Sequence, residues 1–209
     1  MVSKGRKDWS YPETSATLLR TLREAQGGVD DAAWARFVDI YGPVVRHLVH
    51  LISPCISDAD TDEVVQGVFV RLVGVLRSGS YDPAKSKFRT YLSTLTRRLL
   101  VDHCREAVAQ RRNRQVELDS AEQIAVEDDP GAWIDAKWHI ACRIAAERRV
   151  MEESAISEQS RATWRLLSCE GLSVKDAAKR MGLPPNTVSK IKCRIEALIA
   201  NVLKLYDGL

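Results

Sequence analysis

From Ala32 onward the apolar residues Trp34, Phe37, Val38, Tyr41, Val45, Leu48 and Leu51 return at steps of three and four, and Pro54 marks the exit. That period buries one face of an α-helix. Gly42-Pro43 predicts a bend or a brief interruption within it. After the polar cluster Ser57-Asp58-Ala59-Asp60-Thr61, a second helix turns Val64, Val65, Val68, Leu72, Val75 and Leu76 inward and ends at Ser78-Gly79. A turn at Tyr81-Asp82-Pro83 leads to a third helical stretch, about Phe88 to Arg112, with Phe88, Leu92, Leu95, Leu99 and Val108 as inward positions. Further on, Trp133, Ile134, Trp138, Ala141, Ala145 and the run Arg148 to Val150 predict one helix, and Ser157 to Cys169 another with Trp164 and Leu167 inward. Near the start, Thr17 to Gln26 predicts a short helix through Leu18, Leu19 and Leu22. No stretch alternates apolar and polar residues as a half-buried strand would, so the fold class is all-α.

Charge divides this helical chain. Between Lys85 and Arg114 stand nine basic residues, Arg97, Arg98 and Arg105 among them, against only Asp102 and Glu106, a local net of +7. Glu117, Asp119, Glu122, Glu127, Asp128 and Asp129 follow, with no Lys or Arg from Gln115 to Pro130. Such a composition predicts a solvated acidic linker. The expected organisation is an N-terminal extension with a short helix over 1–28, a domain over 29–114, the linker over 115–131 and a second domain over 132–209.

The whole chain is far less polarised: 209 residues carry a formal charge of +3 with 45% hydrophobic residues. That suffices for one or two ordinary cores and does not by itself define a nucleic-acid binder. The chain has no long apolar run and its first residues lack a signal-peptide core, which predicts a cytoplasmic protein without membrane insertion. The five cysteines, Cys55, Cys104, Cys142, Cys169 and Cys193, form no C-x-x-C pair, so reduced thiols and no metal or cofactor are expected. His139 and Cys142 share a helical spacing but are two ligands where a structural zinc site needs four. His103 and Cys104 are chain neighbours, about 100° apart on a helix, and cannot act as a nucleophilic dyad. No acid, base and nucleophile converge in spacing, and no enzyme is expected.

The C-terminal segment has helix-turn-helix grammar. Ser173 with Asp176 three residues later forms a capping-type start, and Ala177-Ala178 lets two helices cross closely. Gly182 supplies the turn and Pro185 suits a first helical position. Val188, Ile191, Ile195, Leu198 and Val202 then turn inward, leaving Asn186, Thr187, Ser189, Lys190, Lys192, Cys193 and Arg194 on or near the outer surface. Amide, hydroxyl and cationic donors in that place suit base edges and phosphates of duplex DNA.

Three further segments carry a family resemblance. Asp62-Glu63-Val64-Val65-Gln66-Gly67-Val68-Phe69 resembles the segment by which bacterial sigma factors hold core RNA polymerase. Tyr81-Asp82-Pro83, Phe88-Arg89-Thr90-Tyr91-Leu92 and Arg97 through Arg105 resemble the promoter-melting segment of the same family. Glu170-Gly171-Leu172-Ser173, followed by the helix-turn-helix, is similar to its C-terminal region. In order and extent, about residues 30–114 and 135–205, the chain looks like a two-domain sigma factor of the extracytoplasmic-function type. The family commonly has Trp where Tyr91 stands, Asn where Arg98 stands and an acidic residue where Gly67 stands.

The resemblance implies a sigma region 2-like and a region 4-like helical domain. It implies that Asp62, Glu63 and Gln66 bind polymerase, and that Tyr91, Arg97, Arg98 and Arg105 act at the −10 element and in melting. Asn186, Thr187, Ser189, Lys190 and Arg194 would read the −35 element. Core RNA polymerase, promoter DNA and an anti-sigma factor are the implied partners. The alternative is a helix-turn-helix repressor or activator that binds duplex DNA independently of polymerase.

Overall fold

The computed structural model describes residues 15–24, 31–112 and 130–206, with side chains described over 18–22, 31–109 and 136–206. Among the described residues there are eight α-helices and no strand: α1 Ser15–Glu24, α2 Asp31–Ile52, α3 Asp58–Arg77, α4 Phe88–Arg112, α5 Pro130–Glu153, α6 Glu158–Ser168, α7 Val174–Met181 and α8 Pro185–Leu203. None of them is long and apolar enough to cross a membrane. They fall into two compact units, one over Glu13–Ile144 and one over Ala145–Asp207.

In the first unit α2, α3 and α4 pack on one another and α1 leans on α2 and α3. The α2 face is aromatic at its start. Phe37 and Tyr41 are fully buried, with ring centroids 4.6 Å apart, and Phe37 meets Phe69 of α3 at 6.2 Å and Phe88 of α4 at 5.8 Å, both edge-on. Edge-on rings set the positive edge of one against the negative face of the other, which adds to simple burial. Leu72, Leu92 and Leu100 continue the core without exposure. Burying each such side chain contributes about 1.5–3 kcal/mol. Buried Thr96 returns its hydroxyl to the Leu92 carbonyl at 2.8 Å, so this interior polar group does not go unsatisfied.

Of the bend or brief interruption expected at Gly42-Pro43, the interruption does not occur: α2 runs unbroken through Pro43. Proline deletes one amide donor, but Tyr41, Val44, Val45 and Leu48 around it are all buried, and that packing outweighs the lost bond. At the other end of the unit, Trp138 of α5 is 2% exposed and stacks on Tyr41 at 6.4 Å, while the Lys137 ammonium donates to the Leu51 carbonyl. The first half of α5 therefore packs with the N-terminal helices. Pro130 and Gly131, expected to close the linker, lie in the first turn of α5, where a proline loses nothing. The rest of the expected linker, and the side chains of Trp133, Ile134, Arg111, Arg112 and Arg114, lie outside the described residues.

In the second unit Ser157 caps α6, its Oγ accepting the Ser160 amide at 3.2 Å. Trp164 is 4% exposed and donates its indole N–H to Glu147 Oε1 at 2.6 Å, tying α6 to the second half of α5. Leu166, Ala177, Ala178 and Val188 form the core among α6, α7 and α8. Ile195, Ile199 and Val202 extend the buried stripe along α8.

Candidate functional surfaces

The cap of α3 follows from its sequence. Ser57, in extended backbone, accepts the Asp60 amide at 3.1 Å and donates its own hydroxyl to Asp60 Oδ2 at 2.6 Å. With the start of the helix fixed, Val64, Val68, Phe69, Leu72 and Leu76 turn inward and Asp62, Glu63 and Gln66 are exposed, as the valine period predicts. Val65 and Val75 are only half-buried. The three exposed residues are not equivalent. Asp62 pairs with the Arg46 guanidinium of α2, and Glu63 lies 4.0 Å from His103 Nδ1 of α4. Gln66 is exposed, and one turn further Val70 is 73% exposed. Glu63, Gln66 and Val70 follow at steps of three and four, so they share one face. Val70 was absent from the expected site; its signal in the sequence is an apolar residue off the valine stripe. A Cβ at Gly67 would meet Leu99 Cδ1 at 3.9 Å, an ordinary contact, so the glycine is not forced by crowding.

On the basic helix, Phe88 and Leu92 belong to the core, as expected. Tyr91 is half-buried and its ring leans on Tyr81 at 5.3 Å. Tyr81 is itself held by Phe88 at 5.5 Å and by its hydroxyl, which donates to the Ser86 carbonyl at 3.1 Å. The Tyr91 ring therefore sits at the edge of an ordered aromatic cluster. Arg97 is half-buried, and Arg98 and Arg105 are exposed. Arg105 lies 3.8 Å from Asp102 one turn earlier; both side chains are mostly in water, so the pair restrains the guanidinium weakly.

His103 and Cys104 do not cooperate. His103 Nε2 faces Asp60 Oδ1 at 3.1 Å, across to α3. Burial first, and the Asp60 charge second, push the Cys104 thiol above its ordinary value, the reverse of what a nucleophile needs. His139 is exposed whereas Cys142 is buried, so that pair does not converge either. No disulfide joins any of the five cysteines.

The helix-turn-helix forms with the expected punctuation. Ser173 Oγ accepts the Asp176 amide at 3.1 Å and donates to its carboxylate at 2.6 Å. Gly182 ends α7 at φ 64°, ψ 30°, the left-handed region that glycine enters without a Cβ penalty, and the Leu183 amide closes on the Ala178 carbonyl at 2.9 Å. Ala177 and Ala178 are buried against Val188, so α7 and α8 approach closely. Pro184 stands at the cap of α8 with no side-chain bond, as its chemistry dictates. The loss is smaller than a missing cap usually implies. Pro184 and Pro185 have no N–H to satisfy, and the Thr187 and Val188 amides both reach the Pro184 carbonyl, at 2.9 and 3.3 Å. Along the outer side, Asn186, Lys190 and Arg194 are exposed and Thr187 and Ser189 half-buried. Lys192, by contrast, lies 3.9 Å from Glu196. One helix thus presents amide, hydroxyl and cationic donors within its first three turns, a set that can bond base edges and phosphates.

Residues 37–110, spanning most of α2 and all of α3 through nearly the end of α4, match the family described as Sigma-70 region 2. No curated protein matches the chain. Among solved structures, the chain resembles one titled "Structure of CnrH in complex with the cytosolic domain of CnrY" at 18% identity, over 91% of this chain and 97% of that one, with a TM-score of 0.36. The weight of the comparison therefore falls on residues 37–110.

Proposed function

We propose, from the likeness of residues 37–110 to Sigma-70 region 2, that the protein is a transcription-initiation factor of the extracytoplasmic-function type, acting in the bacterial cytoplasm. The observation that carries this reading is that the matched residues contain both candidate surfaces of the first unit, the α3 face and the basic α4. On it, Glu63, Gln66 and Asp62 dock on core RNA polymerase, and Arg97, Arg98 and Arg105 neutralise phosphates of the opened −10 strand while Tyr91 offers a ring to an unstacked base. The second unit reads the −35 duplex through Asn186, Thr187, Ser189, Lys190 and Arg194. The acidic residues over 115–131 connect the two activities, and a negative chain suits a path that normally carries nucleic acid. Restraint by an anti-sigma factor belongs to the same reading. No covalent step is required of the chain.

Reconstitution tests it. Tagged protein should copurify with core polymerase and direct it to start transcripts on a cognate promoter. Tight binding to a palindromic duplex in the absence of polymerase, with no recovery of polymerase, would instead establish a repressor or activator.

A further inference from the structure

Asp60 and Glu63 lie three residues apart on α3, and His103 faces them from α4. One ligand atom from each lies within 4.8 Å of the others. His103 Nε2 and Asp60 Oδ1 are 3.1 Å apart, and two donors sharing an ion at the usual N and O bond lengths stand about 3 Å from one another. We propose that Asp60, Glu63 and His103 form a site for a divalent transition-metal ion.

Three observations give the proposal its chemistry. The donors are one imidazole and two carboxylates, a set that suits Mn²⁺, Co²⁺, Ni²⁺ or Zn²⁺ rather than a thiophilic ion. The two carboxylates carry the charge that a divalent cation offsets. The donors also differ in freedom: the His103 side chain is only 20% exposed and Asp60 is held by Ser57, whereas Glu63 is 75% exposed and lies 4.0 Å from the other ring nitrogen, Nδ1, so its carboxylate must rotate toward the Nε2 side to share the ion. The imidazole and Asp60 thus make a nearly preformed half-site that Glu63 completes, with water in the remaining positions. Ligation also has a consequence for the docking reading, on which this one step rests. An ion that draws Glu63 toward α4 withdraws its carboxylate from the α3 face.

The test uses Co²⁺ and the isolated full chain, so its outcome does not depend on polymerase. Titration should raise visible d–d absorption that saturates at one ion per chain. His103→Gln should abolish the signal, and Glu63→Gln should weaken binding at least about tenfold. Replacing Cys55, Cys104, Cys169 and Cys193 by serine should leave it intact. Circular dichroism checks each fold, and if His103→Gln does not fold, the exposed Glu63→Gln decides. The proposal is overturned by no saturable absorption, by binding that survives the loss of Glu63 and His103, or by a signal that disappears with the cysteines. In the first case the imidazole only bridges two carboxylates as an ion pair.

Discussion

The Arg46 guanidinium of α2 holds the Asp62 carboxylate of α3. One of the three acidic and polar residues on the candidate docking face is thus already engaged within its own unit. Both side chains remain partly in water, at 30% and 53% exposure, so the pair contributes about 0.2–1 kcal/mol to folding. A double-mutant cycle of Arg46→Ala and Asp62→Ala, read by urea denaturation, should return a coupling in that range. Polymerase pull-down should be less sensitive to Asp62→Ala than to changes at Gln66.

Glu63→Lys combined with Gln66→Ala should abolish recovery of polymerase while leaving the helical signal unchanged, because both residues flank the valine stripe and neither fills the core. Val70→Asp, one turn along the same exposed face, should weaken recovery as well. Normal recovery by the folded double variant would remove α3 from the docking assignment.

Charge-neutral variants of Arg97, Arg98 and Arg105 should impair promoter opening more than promoter binding, since the phosphates proposed for them become accessible only on melting. Permanganate footprinting separates the two. Tyr91→Ala should reduce opening too. Tyr91→Phe should have little effect, because the ring rather than the hydroxyl is the stacking surface.

Lys190→Ala or Arg194→Ala should cost about 1–3 kcal/mol and relax preference at a single upstream base pair where the side chain reads a base edge. A phosphate contact would behave otherwise, weakening all sequences alike and lowering the salt slope by about one. Binding measured across salt and across upstream variants distinguishes them. If affinity, preference and slope all remain unchanged in both variants, α8 is not the reader.

In the second unit, Gly182→Ala should lower stability by about 1–2 kcal/mol and Gly182→Asn by less, measured by thermal melting. The cost is one of backbone conformation alone, because a Cβ at this position would meet nothing within 4 Å. Separately, burial of Cys104 and the neighbouring Asp60 charge should delay its alkylation relative to exposed Cys55, Cys169 and Cys193, and displace its pH profile upward.

The helices were legible because their period and punctuation agree. Ser57, Ser157 and Ser173 each precede a helix whose side-chain cap the structure contains, and Gly182 ends α7 where a turn was expected. That Pro43 does not interrupt α2 was not legible, because a local rule cannot weigh the buried residues on either side of it. The outward placement of Asp62 and Glu63 was readable from the valines, but their partners were not. Arg46 and His103 lie on other helices, and periodicity within one helix does not reveal what a neighbouring helix brings. The same holds for α5, where the spacing of Trp138 and Ala145 does not say that Trp138 stacks on Tyr41.

The bond between Trp164 and Glu147 also has an optical consequence. An indole that is 4% exposed and hydrogen-bonded to a carboxylate reports on the second unit alone, since both partners lie within it. With Trp9, Trp34, Trp133 and Trp138 replaced by phenylalanine, the remaining emission comes from this one fluorophore. Its spectrum during denaturation, set against the far-ultraviolet signal of the whole chain, shows whether the two units lose structure in one transition or in two.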